Sequence, residues 1–207
     1  KEDQIISKLN HPCISKFIGF SPTDFEGNDH PSILIEFSSN GTLKQLFDIE
    51  RKIAPIREWD DTKKFINIYA LASCMSYLNS RDIVYKDLNP ENVVLDDYLF
   101  PKFMNFTFSD DPQNSTEKVV SKDEMFHMAP KYCAPEQFNN NNEITQSSLI
   151  YSFSLIMYEI ISGNKIFNGQ TVFQIMNNVS EGQRPELDES FSNVYQELII
   201  FIIIIFK

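Results

Sequence analysis

The stretch IVYKDLNPENVVLDDYLFPKFMNF, Ile83 to Phe106, holds three short apolar runs, "IVY", "VVLD" and "PKFM", separated by polar turns. Runs of this length bounded by Asn, Asp and Pro read as strands joined by tight connections. The first connection carries Asp87 and Asn92, five residues apart. A carboxylate and an amide on one short loop can serve as proton acceptor and metal ligand. They can equally be turn residues, because Asp beside Asn and Pro commonly bonds its own backbone.

Outward from this stretch the chain changes period. Upstream, Asp60 or Asp61 can cap a long helix reaching Asn79, with Phe65, Ile68, Tyr69, Ala72, Met75 and Leu78 at helical spacing. Leu43, Leu46 and Phe47 mark a shorter helix after "SSNGT". Before it, "CISKFIGF" and "SILIEF" read as two strands joined by the polar loop "SPTDFEGNDH". Glu2 to Leu9 reads as the end of a helix, stopped at His11-Pro12. Downstream, residues 107 to 131 are polar and aperiodic, a loop long enough to be functional or disordered. Past the low-complexity tract "FNNNN", Thr145 to Ser162 is apolar nearly all round and is expected to be a buried helix. Two strands followed mostly by helices is an α+β pattern with too few strands for its sheet.

Bulk properties narrow the function. In 207 residues, 18 Lys and Arg stand against 29 Asp and Glu, a formal charge of −11 that argues against a nucleic-acid partner. Cys13, Cys74 and Cys133 are odd in number and outside any C-x-x-C spacing, so neither a disulfide framework nor a zinc site is expected. A reducing, cytoplasmic compartment follows. The run "LIIFIIIIF", Leu198 to Phe206, has nine residues, whereas a membrane-spanning helix needs ~20. It is expected to start a buried helix, not to anchor the chain in a membrane.

Several stretches, in order, resemble the protein kinase family. "KEDQIISKLNHPCISKFIGF" is similar to the C helix running into the fourth strand of the N-lobe, with Glu2 on the ion-pairing glutamate. "ILIEFSSNGTL" is similar to the fifth strand and the hinge, with Ile35 as gatekeeper and Glu36, Phe37 and Ser38 at the adenine. "YKDLNPEN" resembles the catalytic loop, which places the catalytic aspartate at Asp87, the metal-binding asparagine at Asn92 and Asn89 where a lysine faces the γ-phosphate. Val94 falls on the adenine-contacting floor. "NFT", with Asn105 eighteen residues after Asp87, takes the D-F-G position, while "YCAPE" and "SLIYSFSLIMYEIISG" resemble the A-P-E motif and the F helix. Proline in "NPEN" resembles serine/threonine kinases, and "GTL" and "YSFSLIMYEI" resemble the tyrosine-kinase-like group. The resemblance implies a protein-kinase-like α+β fold over 1–206, with 1–37 as a truncated N-lobe and hinge start and 38–206 as C-lobe. ATP, Mg²⁺ and a protein substrate or signalling partner are likewise implied. The glycine-rich loop and the strand lysine are expected upstream of Lys1.

The departures fall on the chemistry. Asn105 replaces the metal-holding aspartate, and a neutral amide removes a unit of charge that Mg²⁺ favours. Thr107 replaces a glycine and so restricts the backbone. Asn89 removes a cation, Ala129 a threonine that meets the catalytic aspartate, and Leu149 the F-helix aspartate that fastens the catalytic loop. Lys86 stands for the usual arginine and is expected to meet phosphate added to Ser115 or Thr116, in a loop that also holds Ser109 and Ser121. Ile6, Phe17, Tyr85 and Phe106 keep the positions of the regulatory spine, and Tyr132 and Phe138 are expected to be packing residues. Ile5, Ile33 and Ile35 are expected to lack a sheet partner, leaving that end soft. A pseudokinase acting as a binding or allosteric module is the reading that results. The alternatives are an active serine/threonine kinase and a degenerate fragment.

Overall fold

The computed structural model describes residues 2–53, 55–110, 128–138 and 144–186. Helix α1 (Glu2–Ile6) leads into strands β1 (Phe17–Ser21) and β2 (Ser32–Ile35), then helices α2 (Leu43–Lys52) and α3 (Asp61–Asn79). Strands β3 (Val93–Leu95) and β4 (Pro101–Phe103) follow, then two 3₁₀ turns at Pro130–Tyr132 and Pro135–Phe138, helix α4 (Gln146–Ser162) and helix α5 (Val172–Ser180). The strands form two separate antiparallel pairs, β1 with β2 and β3 with β4. This is the expected α+β composition, helical with few strands.

Helix α4 is the centre of the helical part. Its Thr145 cap accepts the Ser148 N–H, and Gly163 ends it at φ 68°, a left-handed conformation that glycine adopts without penalty. Between them Leu149, Ile156, Met157 and Ile160 enter the main core, while Tyr151, Leu155 and Tyr158 enter a second cluster with Ile166 and Ile175. One helix therefore serves two cores, which is why its sequence is apolar on every side. Each large apolar side chain so buried contributes roughly 1.5–3 kcal/mol.

Three expectations need correction. The buried face of α3 is Asn67, Ile68, Leu71, Cys74 and Leu78, whereas Phe65, Tyr69 and Ala72 are exposed. Asn67 explains the shift: its Nδ2 donates to Lys63 O and to Leu99 O, both at 2.9 Å, and so ties α3 to the β3–β4 turn. The run "IVY" is no full strand, since only Val84 forms a bridge, with Asp110. Ile5, Ile33 and Ile35 are not left bare either. Ile5 is 3% exposed, and the other two pack against the same core. The apolar side chains that face solvent in the hairpin are instead Ile18, Phe20, Phe25 and Leu34.

The remaining elements follow the sequence closely. Asp60 caps α3 by accepting the Lys63 N–H at 2.8 Å. Ile6, Tyr85 and Phe106 are buried in one cluster, with Phe17 packed against it, and the Tyr85 ring meets Phe106 edge-on at 5.0 Å. The three cysteines are free. Among the described residues no helix is long and apolar enough to cross a membrane, and the run from Leu198 to Phe206 lies outside them, as do Ser115, Thr116 and Ser121.

Candidate functional site

Asp87 lies at the centre of the loop between Tyr85 and β3, and is only 9% exposed. Its two carboxylate oxygens are held separately: Asn89 Nδ2 donates to Oδ1 at 2.8 Å and Asn92 Nδ2 to Oδ2 at 2.7 Å. The same two amides also reach the Asp87 carbonyl, at 3.2 and 2.9 Å. Burial raises the Asp87 pKa, and the hydrogen bonds from Asn89 and Asn92 only partly oppose it. The turn role falls to Asn89, whose Oδ1 accepts the Glu91 N–H at 2.8 Å. Where a threonine side chain was missed at Ala129, the Ala129 backbone N–H points at Asp87 Oδ1, at 3.4 Å.

The loop is fastened despite Leu149, which is simply buried in the core. Tyr85 Oη donates to Met104 O, the Met104 N–H donates to Asn92 O at 3.0 Å, and Val84 and Asp110 exchange backbone hydrogen bonds. Lys86 forms a buried ion pair with Asp110. It is thus engaged within the chain, and Ser109 is 1% exposed. The expected phosphate receptor is occupied by an internal carboxylate.

A second chain of polar contacts leaves the loop toward α1. Asn105 Nδ2 donates to Asn92 Oδ1 at 3.1 Å, and the Thr107 hydroxyl lies 2.7 Å from Asn105 Oδ1. That hydroxyl is also 2.7 Å from Glu2 Oε2, while the Phe106 N–H donates to Glu2 Oε1 at 2.7 Å. The structure therefore brings Glu2, Asn105, Asn92, Asp87 and Asn89 into one continuous network. The positive φ falls on Asn105, at 60°, and not on Thr107. Asn tolerates this region better than most residues, so threonine at the glycine position brings no backbone strain.

Of the residues expected at a nucleotide, Val94 is 9% exposed. Ile35 is partly buried against the core, and Phe37 is 90% exposed. The Ser38 hydroxyl is buried without a hydrogen-bond partner. Glu36 is engaged through its side chain as well as its backbone. Oε1 accepts from Lys102 Nζ at 2.7 Å and from the Lys16 N–H at 2.8 Å. Burial would raise the Glu36 pKa, but these donors outweigh it and the pKa is lowered.

Sequence reading missed one further constellation. A cavity of about 280 Å³ opens beside Asn89, and Glu159 stands at its wall. Glu159 is 3% exposed and bonded to Arg51 Nη2 at 2.9 Å and to the Tyr132 hydroxyl. A usable signal existed, since Glu159 is the single acid in the otherwise neutral helix α4. Burying a lone carboxylate requires a partner.

A family model described as protein tyrosine and serine/threonine kinase matches residues 1–201. Among curated relatives, a Trypanosoma brucei brucei protein with the provisional name serine/threonine-protein kinase A is 26% identical over 198 residues, 96% of this chain and 44% of its own. Serine/threonine-protein kinase RUNKEL of Arabidopsis thaliana is 25% identical, covering 97% of this chain and 14% of its own. Serine/threonine-protein kinase SIK2 of Gallus gallus is 29% identical, covering 88% and 21%. The chain thus spans less than half the length of the relatives it matches.

Proposed function

The chain belongs to the protein tyrosine and serine/threonine kinase family, and we propose that it is a catalytically impaired member, a pseudokinase that serves signalling as a binding or allosteric module. One observation carries this reading. The polar atoms that would face a metal and a phosphate are bonded to each other: Asn92 Oδ1 to Asn105 Nδ2, Asn105 Oδ1 to Thr107, and both Asp87 oxygens to amides. ATP and Mg²⁺ are cofactors of the family, and the donor set here does not suit the metal. Mg²⁺ favours carboxylate oxygens in near-octahedral array. Asn92 and Asn105 offer neutral amides already in use, and Asp87 is buried behind its two asparagines. A nucleotide, if bound, would lie against Ile35, Val94 and the segment Glu36 to Ser38, held without a metal bridge.

In this reading the domain comprises residues 1–206, with 1–37 as N-lobe and hinge start and 38–206 as C-lobe, in a cytoplasmic protein that meets protein partners. Titration calorimetry with ATP, with and without Mg²⁺, tests it. Weak binding with little metal dependence is expected. Micromolar, metal-dependent binding would overturn the reading.

A second reading, an active serine/threonine kinase, is favoured by the placement of Glu2, Asp87 and Asn92 in one network. Asp87 would then accept the proton of a substrate hydroxyl, and Asn92 would leave Asp87 to do so. That reading requires the full-length protein to phosphorylate a protein substrate, and Asp87→Asn to abolish the activity.

A further inference from the structure

We infer that the cavity beside Asn89 is a docking seat for an acidic segment of a protein partner, and that Arg51 sets this preference. The seat lies between α2, the turn at Pro130–Tyr132 and the end of α4. Its inner wall holds a carboxylate, Glu159, that would attract a basic side chain if it were open. It is not open. Arg51 Nη2 takes one Glu159 oxygen at 2.9 Å, and the Tyr132 hydroxyl takes the other. Arg51 is itself fixed, with Nε donating to Gly163 O at 2.6 Å and Nη2 to Asn164 O at 3.0 Å, and its guanidinium over the Phe47 ring at 5.1 Å. An arginine of the chain's own thus occupies the place an incoming arginine would take, and its charge repels a second cation.

The rim has the opposite balance. Lys44, Lys131 and Lys165 line it against Asp48 and Glu91. Asp48 is shared, with Lys44 at 3.0 Å and Lys165 at 3.8 Å. Glu91 is the more remote acid, 3.9 Å from Lys44. Lys131 pairs with no acid among the described residues, and the residue is exposed. Counting the inner pair as neutral, three cations face two anions among the described lining residues. The cavity is thus net positive in a chain of net charge −11. Among the described lining residues, a carboxylate entering it meets Lys131, which has no acid partner, and two lysines that share Asp48. A cleft of one sign with low-dielectric walls also concentrates ligands of the other sign.

The overall charge makes the test discriminating, because non-specific attraction to so acidic a chain favours basic peptides. The seat rests on the reading of this domain as a binding module, and ATP calorimetry on the same samples separates a failure here from a failure there. Fluorescence anisotropy is measured with a labelled glutamate-rich peptide and an arginine-rich peptide of equal length, in 0.05 and 0.15 M salt. A phosphoserine-containing version of the acidic peptide shows whether phosphate is preferred to carboxylate. The acidic peptide is expected to bind saturably and more weakly at the higher salt. Lys131→Glu with Lys165→Glu, both exposed positions, should weaken it about tenfold or more. Arg51→Met uncovers Glu159 and should move the preference toward the arginine-rich peptide, whereas Arg51→Met with Glu159→Gln should keep it acidic. Absence of acidic-peptide binding, or binding indifferent to the lysine changes, would overturn the proposal. So would tighter binding of the arginine-rich peptide to the unaltered chain.

Discussion

Replacing Thr107 with valine keeps the shape of the side chain and removes its hydroxyl, the atom that joins α1 to the segment carrying Asn105. The hydroxyl has one proton and two acceptors at 2.7 Å, Glu2 Oε2 and Asn105 Oδ1, so one strong bond is lost at any moment. A hydrogen bond to a charged group is worth about 1.5–3 kcal/mol. Thr107 is exposed, so water replaces part of the loss and about 1 kcal/mol is the better figure. That corresponds to roughly fivefold more frequent opening of α1, since 1.4 kcal/mol is a factor of ten. The assay is native-state hydrogen exchange at the amides of Ser7, Lys8 and Leu9, which donate to Asp3, Ile5 and Ile6. Their exchange should accelerate about fivefold in Thr107→Val, by the same 1 kcal/mol, while amides of α4 stay protected and Thr107→Ser restores the original rates. Unchanged rates at Ser7 to Leu9 would refute the latch. Equal acceleration throughout the chain would too, because it would make Thr107 a general stability element.

The other predictions concern the loop. The Asp87 carboxyl should titrate above its ordinary value of 3.8, followed by carboxyl carbon NMR. Asn92→Ala should raise it further, because a donor to the charged form is lost. With a raised folded pKa, protonation of Asp87 favours the folded state, so its contribution to stability grows as pH falls from above that pKa toward 3.8. Asn105→Asp with Asn89→Lys, in the full-length protein, should recover part of a phosphotransfer activity from a nearly silent parent. A single restored electrostatic element is worth about 10²–10³ in rate, and a parent already working at ordinary kinase rates would contradict the impairment.

The fold was legible where one physical signal dominated. Apolar residues on all sides of α4, with Thr145 before it and Gly163 after it, leave little choice but a capped and buried helix. Helix α3 was placed correctly, but its face was not, because Asn67 looks like a surface residue until Leu99 O supplies its second partner. The positions of Asp87, Asn92, Asn105 and Glu2 were legible from the order of their motifs. Their mutual bonding was not, since sequence spacing says nothing of which amide turns toward which oxygen. The side-chain pairings of Lys86 and Glu36 were not legible, for a shared reason. Each was judged from its own segment, whereas their partners, Asp110 and Lys102, come from elsewhere in the chain. Arg51 and Glu159 are 108 residues apart and no local pattern links them.

The departures from the family's motifs at the site are coupled, and this bears on how the fold accommodates them. A buried polar group left without a partner costs about 1–3 kcal/mol, so deleting a metal from a metal-binding constellation should ordinarily destabilise it. Here three of the substituted residues, Asn89, Asn105 and Thr107, supply partners within the network. Asn105 differs from aspartate by a donor in place of an acceptor, and that donor engages Asn92 Oδ1. Asn89 puts a donor on Asp87 Oδ1. Thr107 adds a hydroxyl that a glycine could not, and it meets Glu2 from α1. Together they close a hydrogen-bonded network in which neutral donors meet the carboxylates of Asp87 and Glu2. Reverting Asn105 alone would therefore do two things at once. It would introduce a carboxylate, and it would release Asn92 Oδ1 from its donor. The reverted chain should be the less stable one until a divalent ion is added, and that reversal of sign distinguishes a closed network from a merely damaged active site.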